Sequence, residues 1–144
     1  MSLNPDEQTF ADAIEVANIP TLLMVLVQLT GELQWLEAPY APKRQPGLGD
    51  NDTGGLDPRH QREVREAGLE AILAWRAGRD IALPEPDEEL LVRMLSVAMA
   101  ESVPPEYGQF TAAQLGQVKF LDHEPVSAPS DFKVLVIGAG VSGL

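Results

Sequence analysis

Apolar positions along this chain come in four or five bursts separated by proline and glycine, and within each burst the spacing is helical. Phe10, Ala13, Ile14 and Ala17 recur at i, i+3, i+4 and i+7, which places them on one helical face. Asn4-Pro5-Asp6-Glu7 supplies the start: Asn caps, Pro suits the first helical position, and Glu three residues after the cap can reach back to it. After Asn18-Ile19-Pro20 the run Thr21 to Thr30 is apolar nearly all round. Pro20 at its start and its Leu and Met content favour a helix to about Trp35 over a strand, and such a helix must be covered on most sides. It carries two stripes, Leu22, Leu26, Leu29 and Leu33 on one side, Leu23, Val27 and Thr30 on the other.

From Glu37 to Pro58 the periodicity fails amid Pro39, Pro42, Pro46, Gly47, Gly49, Gly54 and Gly55. A loop this long is unusual inside a compact domain and reads as a functional arm or a mobile one. Asp57-Pro58 starts a third helix to about Ala77, stopped by Gly78, with Val64, Ala67, Gly68, Ala71, Ile72 and Trp75 on its face. Asp87, Glu88 and Glu89 fall in the first turn of a fourth helix, where the helix dipole favours acids, and Leu91, Met94, Leu95 and Ala98 form its stripe. Pro104-Pro105 opens a shorter fifth helix through Tyr107, Phe110 and Leu115. The pattern therefore predicts an all-α domain of four or five helices over residues 1–121, followed by a Pro- and Ser-containing linker at 122–131.

At residues 132–144 the pattern changes. Lys133 to Ile137 is a β-branched apolar run suited to a strand covered on both faces in a parallel sheet. Gly138, Gly140 and Gly143 then complete G-x-G-x-x-G, in which the first glycine permits the tight turn. The second lets backbone approach a pyrophosphate, and the third lets the next helix pack closely on the strand. That helix, and the acidic residue expected about 20 positions on to hold a ribose, would lie beyond Leu144. The expectation is a helical extension joined to the first strand and glycine turn of a truncated nucleotide-binding domain.

Charge narrows the choice of partner. Ten Lys and Arg against 22 Asp and Glu give a net charge of −12, which argues against nucleic acid or an anionic membrane, since both need a basic surface. The chain has no cysteine, which excludes disulfides and thiolate metal sites. Met1-Ser-Leu-Asn-Pro-Asp-Glu lacks the basic start of a signal peptide, and the longest apolar run, Leu22 to Val27, is too short to span a bilayer, so a cytoplasmic location is expected. His60 and His123 are the only imidazoles, at a helix start and in the acidic linker; exposed histidines account for both better than a metal site does. Asp87-Glu88-Glu89 reads as a solvated helix start rather than an acid pair. Tyr40 is a candidate contact for a partner or a packing residue. No arrangement of Ser, His and Asp suggests a nucleophile.

Gly138-Ala-Gly-Val-Ser-Gly-Leu144 resembles the FAD-binding fingerprint of flavin-containing and Baeyer–Villiger monooxygenases. Asn18-Ile-Pro-Thr-Leu-Leu-Met24, Leu29-Thr-Gly-Glu-Leu33 and Val103-Pro-Pro-Glu-Tyr107 resemble the N-terminal extension of the subgroup typified by 4-hydroxyacetophenone monooxygenase. The resemblance implies a parent enzyme that binds FAD, uses NADPH and converts ketones to esters. It assigns FAD contacts, in that parent, to Gly138, Ala139, Gly140, Ser142 and Gly143 alone. The NADPH motif and the catalytic residues of the family have no counterparts here, so the chain by itself is expected to hold no cofactor and to be inactive. Two roles for the helical part follow. It is a dimerisation and stabilisation domain, using Leu22, Leu23, Leu26, Val27 and Thr30 as a homodimer interface, or it caps the parent's active site with the 37–58 loop as a lid. A stand-alone adaptor is a third possibility. Against the interface reading stands a plain core helix, which the pattern allows equally.

Overall fold

The computed structural model describes residues 5–44, 46, 49, 51–117, 131 and 133. These form α1 (Pro5–Glu15), α2 (Ile19–Thr30), a 3-10 turn (Leu33–Leu36), α3 (Pro58–Arg76), α4 (Glu88–Met99) and α5 (Tyr107–Gln114), with no strand among the described residues. Asn4 and, apart from Lys133, the 132–144 strand-and-turn sequence lie outside them.

Local chemistry sets the helix limits. Asn18 caps α2, its side-chain oxygen accepting from the Thr21 amide at 3.0 Å and the Thr21 hydroxyl at 2.9 Å. Gly31, at φ +74°, ends the helix, its N–H donating to the Val27 carbonyl at 2.8 Å. The helix thus stops short of Trp35, and the chain instead tightens into the 3-10 turn, which buries Trp35 and Leu36. Asp57 caps α3 by accepting from the Arg59 amide. Asp87 proves to be the cap of α4 rather than part of its first turn, accepting from the Leu90 amide at 2.8 Å. The carbonyls of Gln28 and Leu29, which have no partner within the last turn of α2, accept from the amides of Leu83 and Ala82.

α2 is the centre of the fold, with α3, α4 and the 3-10 turn packed on it; α1 packs on α3, and α5 on α4. Ile19, Leu23 and Val27 are 0% exposed and Leu26 is 1% exposed. α3 runs in the same direction as α2. Arg65 of α3 donates to the Ala17 carbonyl, Gly68 meets Leu22, and Ala71 shares a pocket wall with Leu26. At Gly68 the approach is close enough that a Cβ would stand 2.8 Å from Leu22 Cδ1. Trp75, expected on the α3 face, is instead 48% exposed. Ala13 is likewise exposed, leaving Ile14 as the buried contact of α1.

This packing encloses most of the α2 residues named for a homodimer interface. Leu22, Leu23, Leu26 and Val27 are all buried within one chain, and Thr30 is half-buried with its hydroxyl donating to the Leu26 carbonyl at 2.7 Å. α3, α4 and the 3-10 turn pack on α2 and cover these four apolar side chains, while Leu29 is half-buried and Leu33 is 38% exposed. Each of the four buried side chains contributes about 1.5–3 kcal/mol by leaving water.

Candidate functional site

The residues that the FAD fingerprint nominates, Gly138, Ala139, Gly140, Ser142 and Gly143, lie outside the described residues, as does His123. Of the five α2 residues, Leu22, Leu23, Leu26 and Val27 belong to the core and Thr30 is half-buried. Among the described residues, the densest polar and aromatic grouping is instead where the Pro-rich arm meets the start of α3.

Two features of local sequence bring that grouping together. The 3-10 turn directs Trp35 inward, and its indole N–H donates to Glu32 at 3.1 Å. The arm then folds back, so that the Tyr40 ring lies 4.7 Å from Trp35 and meets His60 edge-on at 5.7 Å. The Tyr40 hydroxyl donates to Glu63 Oε2 at 3.0 Å, and Arg59, one helical turn before Glu63, donates to its other oxygen at 3.0 Å. This bond to a carboxylate, reinforced by burial and by the charge of Glu63, raises the Tyr40 pKa above the usual 10.0. The same bond is the main cause of the lowered pKa of Glu63, with Arg59 and His60 adding to it. Tyr40 therefore stays a protonated donor and Glu63 a charged acceptor across the neutral range.

The arm is anchored along both its limbs. The Lys43 amide donates to the Gly54 carbonyl at 2.8 Å, and the Asn51 side-chain amide to the Lys43 carbonyl at 3.1 Å. The Ile19 amide donates to the Asp52 carbonyl at 2.7 Å, Asn18 binds the Asp52 carboxylate at 3.0 Å, and Leu56 is buried. Arg93 and Glu37, and Arg44 and Glu101, tie the first limb to α4 and the residues after it. A groove of about 540 Å³ runs beside the arm, lined by Pro39, Pro42, Lys43, Leu56, Asp57 and His60 among others.

This arrangement is a brace. Most of its polar groups are committed to one another: Asp57 to the α3 cap and Glu63 to Tyr40 and Arg59, while His60 meets the Tyr40 ring and Asn51 Oδ1 is buried without a hydrogen-bond partner. No three His, Cys, Asp or Glu side chains among the described residues are grouped to hold a metal ion. Tyr40 and His60 stand out in the sequence, and the Arg59–Glu63 pair is legible from its i, i+4 spacing. The Tyr40–Glu63 bond is not, since it spans 23 residues of irregular chain.

No family model matches the sequence, and no solved structure matches it. The chain is 44% identical over 134 residues to a protein of Sinorhizobium fredii (strain NBRC 101917 / NGR234) named "Uncharacterized monooxygenase y4iD". The match covers 93% of this chain but 20% of that protein's length. Over nearly its whole extent, then, this helical chain is similar to about one fifth of a protein named as a monooxygenase.

Proposed function

We propose that this chain is the N-terminal helical module of an FAD- and NADPH-dependent Baeyer–Villiger monooxygenase, and that it stabilises that enzyme without taking part in the chemistry. The 44% identity to a protein named as a monooxygenase, one five-fold longer than the match, carries the reading. The FAD fingerprint at Gly138–Gly143 and the extension-like segments around Asn18–Met24 and Val103–Tyr107 support the finer assignment. FAD, when bound, supplies the oxygen-transfer chemistry; the described residues contribute a packed scaffold. The anchoring of both limbs of the 37–58 arm, through Lys43–Gly54, Asp52–Ile19 and Tyr40–Glu63, argues against a lid hinged at its ends.

Two measurements test the proposal. The full-length polypeptide that carries this segment is expected to purify yellow with one FAD and to oxidise NADPH in a ketone-dependent reaction that releases an ester. Full-length protein without flavin, or with flavin but no ketone-dependent turnover, would overturn the assignment. Light scattering over a concentration series on the 144-residue chain decides self-association: a constant monomer mass removes dimerisation from its role.

A further inference from the structure

α5 differs from the rest of this surface. In a chain with 22% charged residues, Tyr107 to Gln117 contains none. Its small residues face inward: Gly108 and Ala112 are buried, and a Cβ on Gly108 would stand 2.8 Å from the Glu88 carbonyl oxygen, so α5 lies flush on the start of α4. Three of the outward residues are large and apolar, set beside the uncharged Gln109 and Gln114. Tyr107 is 52%, Phe110 45% and Leu115 58% exposed, and the two rings stand 6.5 Å apart beside a shallow groove of about 360 Å³. Loss of charge together with gain of aromatic surface is the compositional mark of an interface centre.

We infer that this face of α5 docks the helical unit onto the part of its own polypeptide that follows residue 131, beginning with the Lys133–Gly143 strand-and-glycine sequence. The inference rests on the reading above that a nucleotide-binding domain follows. Area selects this occupant over a second copy of the chain. A large apolar side chain offers about 200 Å², so three that are about half exposed offer about 300 Å². A standing dimer needs about 800 Å² from each partner. A tethered contact needs far less, because residues 118–132 can reach no further than about 50 Å, and a short tether holds its two ends at millimolar effective concentration. The matched relative is about five times as long as the stretch it shares with this chain.

The test places the photo-crosslinker p-benzoylphenylalanine at position 107 of the full-length polypeptide, with position 16, where Val16 is 84% exposed, as a control. Illumination followed by peptide mapping is expected to join position 107, within one molecule, to peptides C-terminal of residue 131, at several times the yield seen from position 16. Hydrogen exchange gives a second readout without substitution: α5 amides should exchange at least ten-fold more slowly in the full-length protein than in the 144-residue chain. Crosslinks that join two copies, a yield no higher than from position 16, or equal exchange in the two proteins would overturn the inference. Neither readout needs flavin. The expected crosslinks in a protein that purifies without FAD would sink the monooxygenase reading alone, and an FAD-loaded enzyme that crosslinks elsewhere would sink the docking alone.

Discussion

Replacing Leu23 and Val27 together by glutamate separates a core helix from an interface helix. Both side chains are 0% exposed and lie one turn apart on α2, so neither new carboxyl can reach water without moving α2 from its neighbours. Each substitution forfeits about 1.5–3 kcal/mol of apolar burial. Each also places a polar group where no partner waits, which costs about 1–3 kcal/mol more on mutational scales. The pair therefore costs about 5–12 kcal/mol, comparable with the whole stability of an ordinary domain, about 5–15 kcal/mol. Leu23→Glu/Val27→Glu is expected to lose most of its far-UV circular dichroism helix signal and all of its cooperative melt. Leu23→Ala supplies the graded version. Emptying a fully buried leucine site costs about 2.5–5 kcal/mol, which at roughly 4 °C per kcal/mol lowers Tm by about 10–20 °C. A double-glutamate chain that stays helical, monomeric and cooperative at an unchanged Tm would refute the burial argument and restore α2 as an exposed face.

Further outcomes follow from particular contacts. Asn18→Ala removes both the α2 cap and the bond to Asp52, and should lower stability by about 1–2 kcal/mol in urea unfolding. Gly108→Ala gains up to about 1 kcal/mol of helix propensity, yet its Cβ meets the backbone oxygen of Glu88 at 2.8 Å. A net loss with faster exchange of α5 amides is expected, and a rise in Tm would refute the flush packing of α5 on α4. Tyr40→Phe tests the brace through pH. The lowered pKa of Glu63 means that its bonds add stability above about pH 4.5, lost as pH falls through the folded value. The raised pKa of Tyr40 adds stability below pH 10.0, lost as pH rises through its folded value. The variant should melt a few degrees lower at pH 7 and show a shallower acid limb of Tm against pH; identical acid limbs would show that the bond does not form. Arg44→Gln should change stability by less than about 0.5 kcal/mol, since Arg44 is 74% exposed and its pair with Glu101 is screened.

What the sequence determined by itself is local. The restart at Asn18-Ile19-Pro20, the cap at Asp57, the acid-led start of α4 and the glycine stop at Gly78 can be read from neighbours within one turn, because helix ends are satisfied by groups a few residues away. The one length misjudged, that of α2, turned on Gly31: the apolar run continues to Trp35, but a left-handed glycine ended the helix and converted the remainder into a 3-10 turn. The glycine fingerprint and the FAD contacts it implies are sequence features that the described residues leave untouched.

What only the tertiary structure decided is which surfaces are covered. The two stripes of α2 look the same in sequence whether a second chain or α3 and α4 lie against them, because a hydrophobic period records a need for cover and not its source. The fold brings Gly68 against Leu22 and segment 82–83 against the end of α2, and Leu22, Leu23, Leu26 and Val27 are buried within the chain. The 37–58 segment likewise reads as an open loop, since Pro and Gly erase periodicity. Its order comes from contacts across long stretches of sequence, Tyr40 with Glu63 and Asp52 with Ile19. Local propensity cannot encode such pairings; they exist because burying Trp35, Tyr40 and Leu56 draws the arm onto the helices.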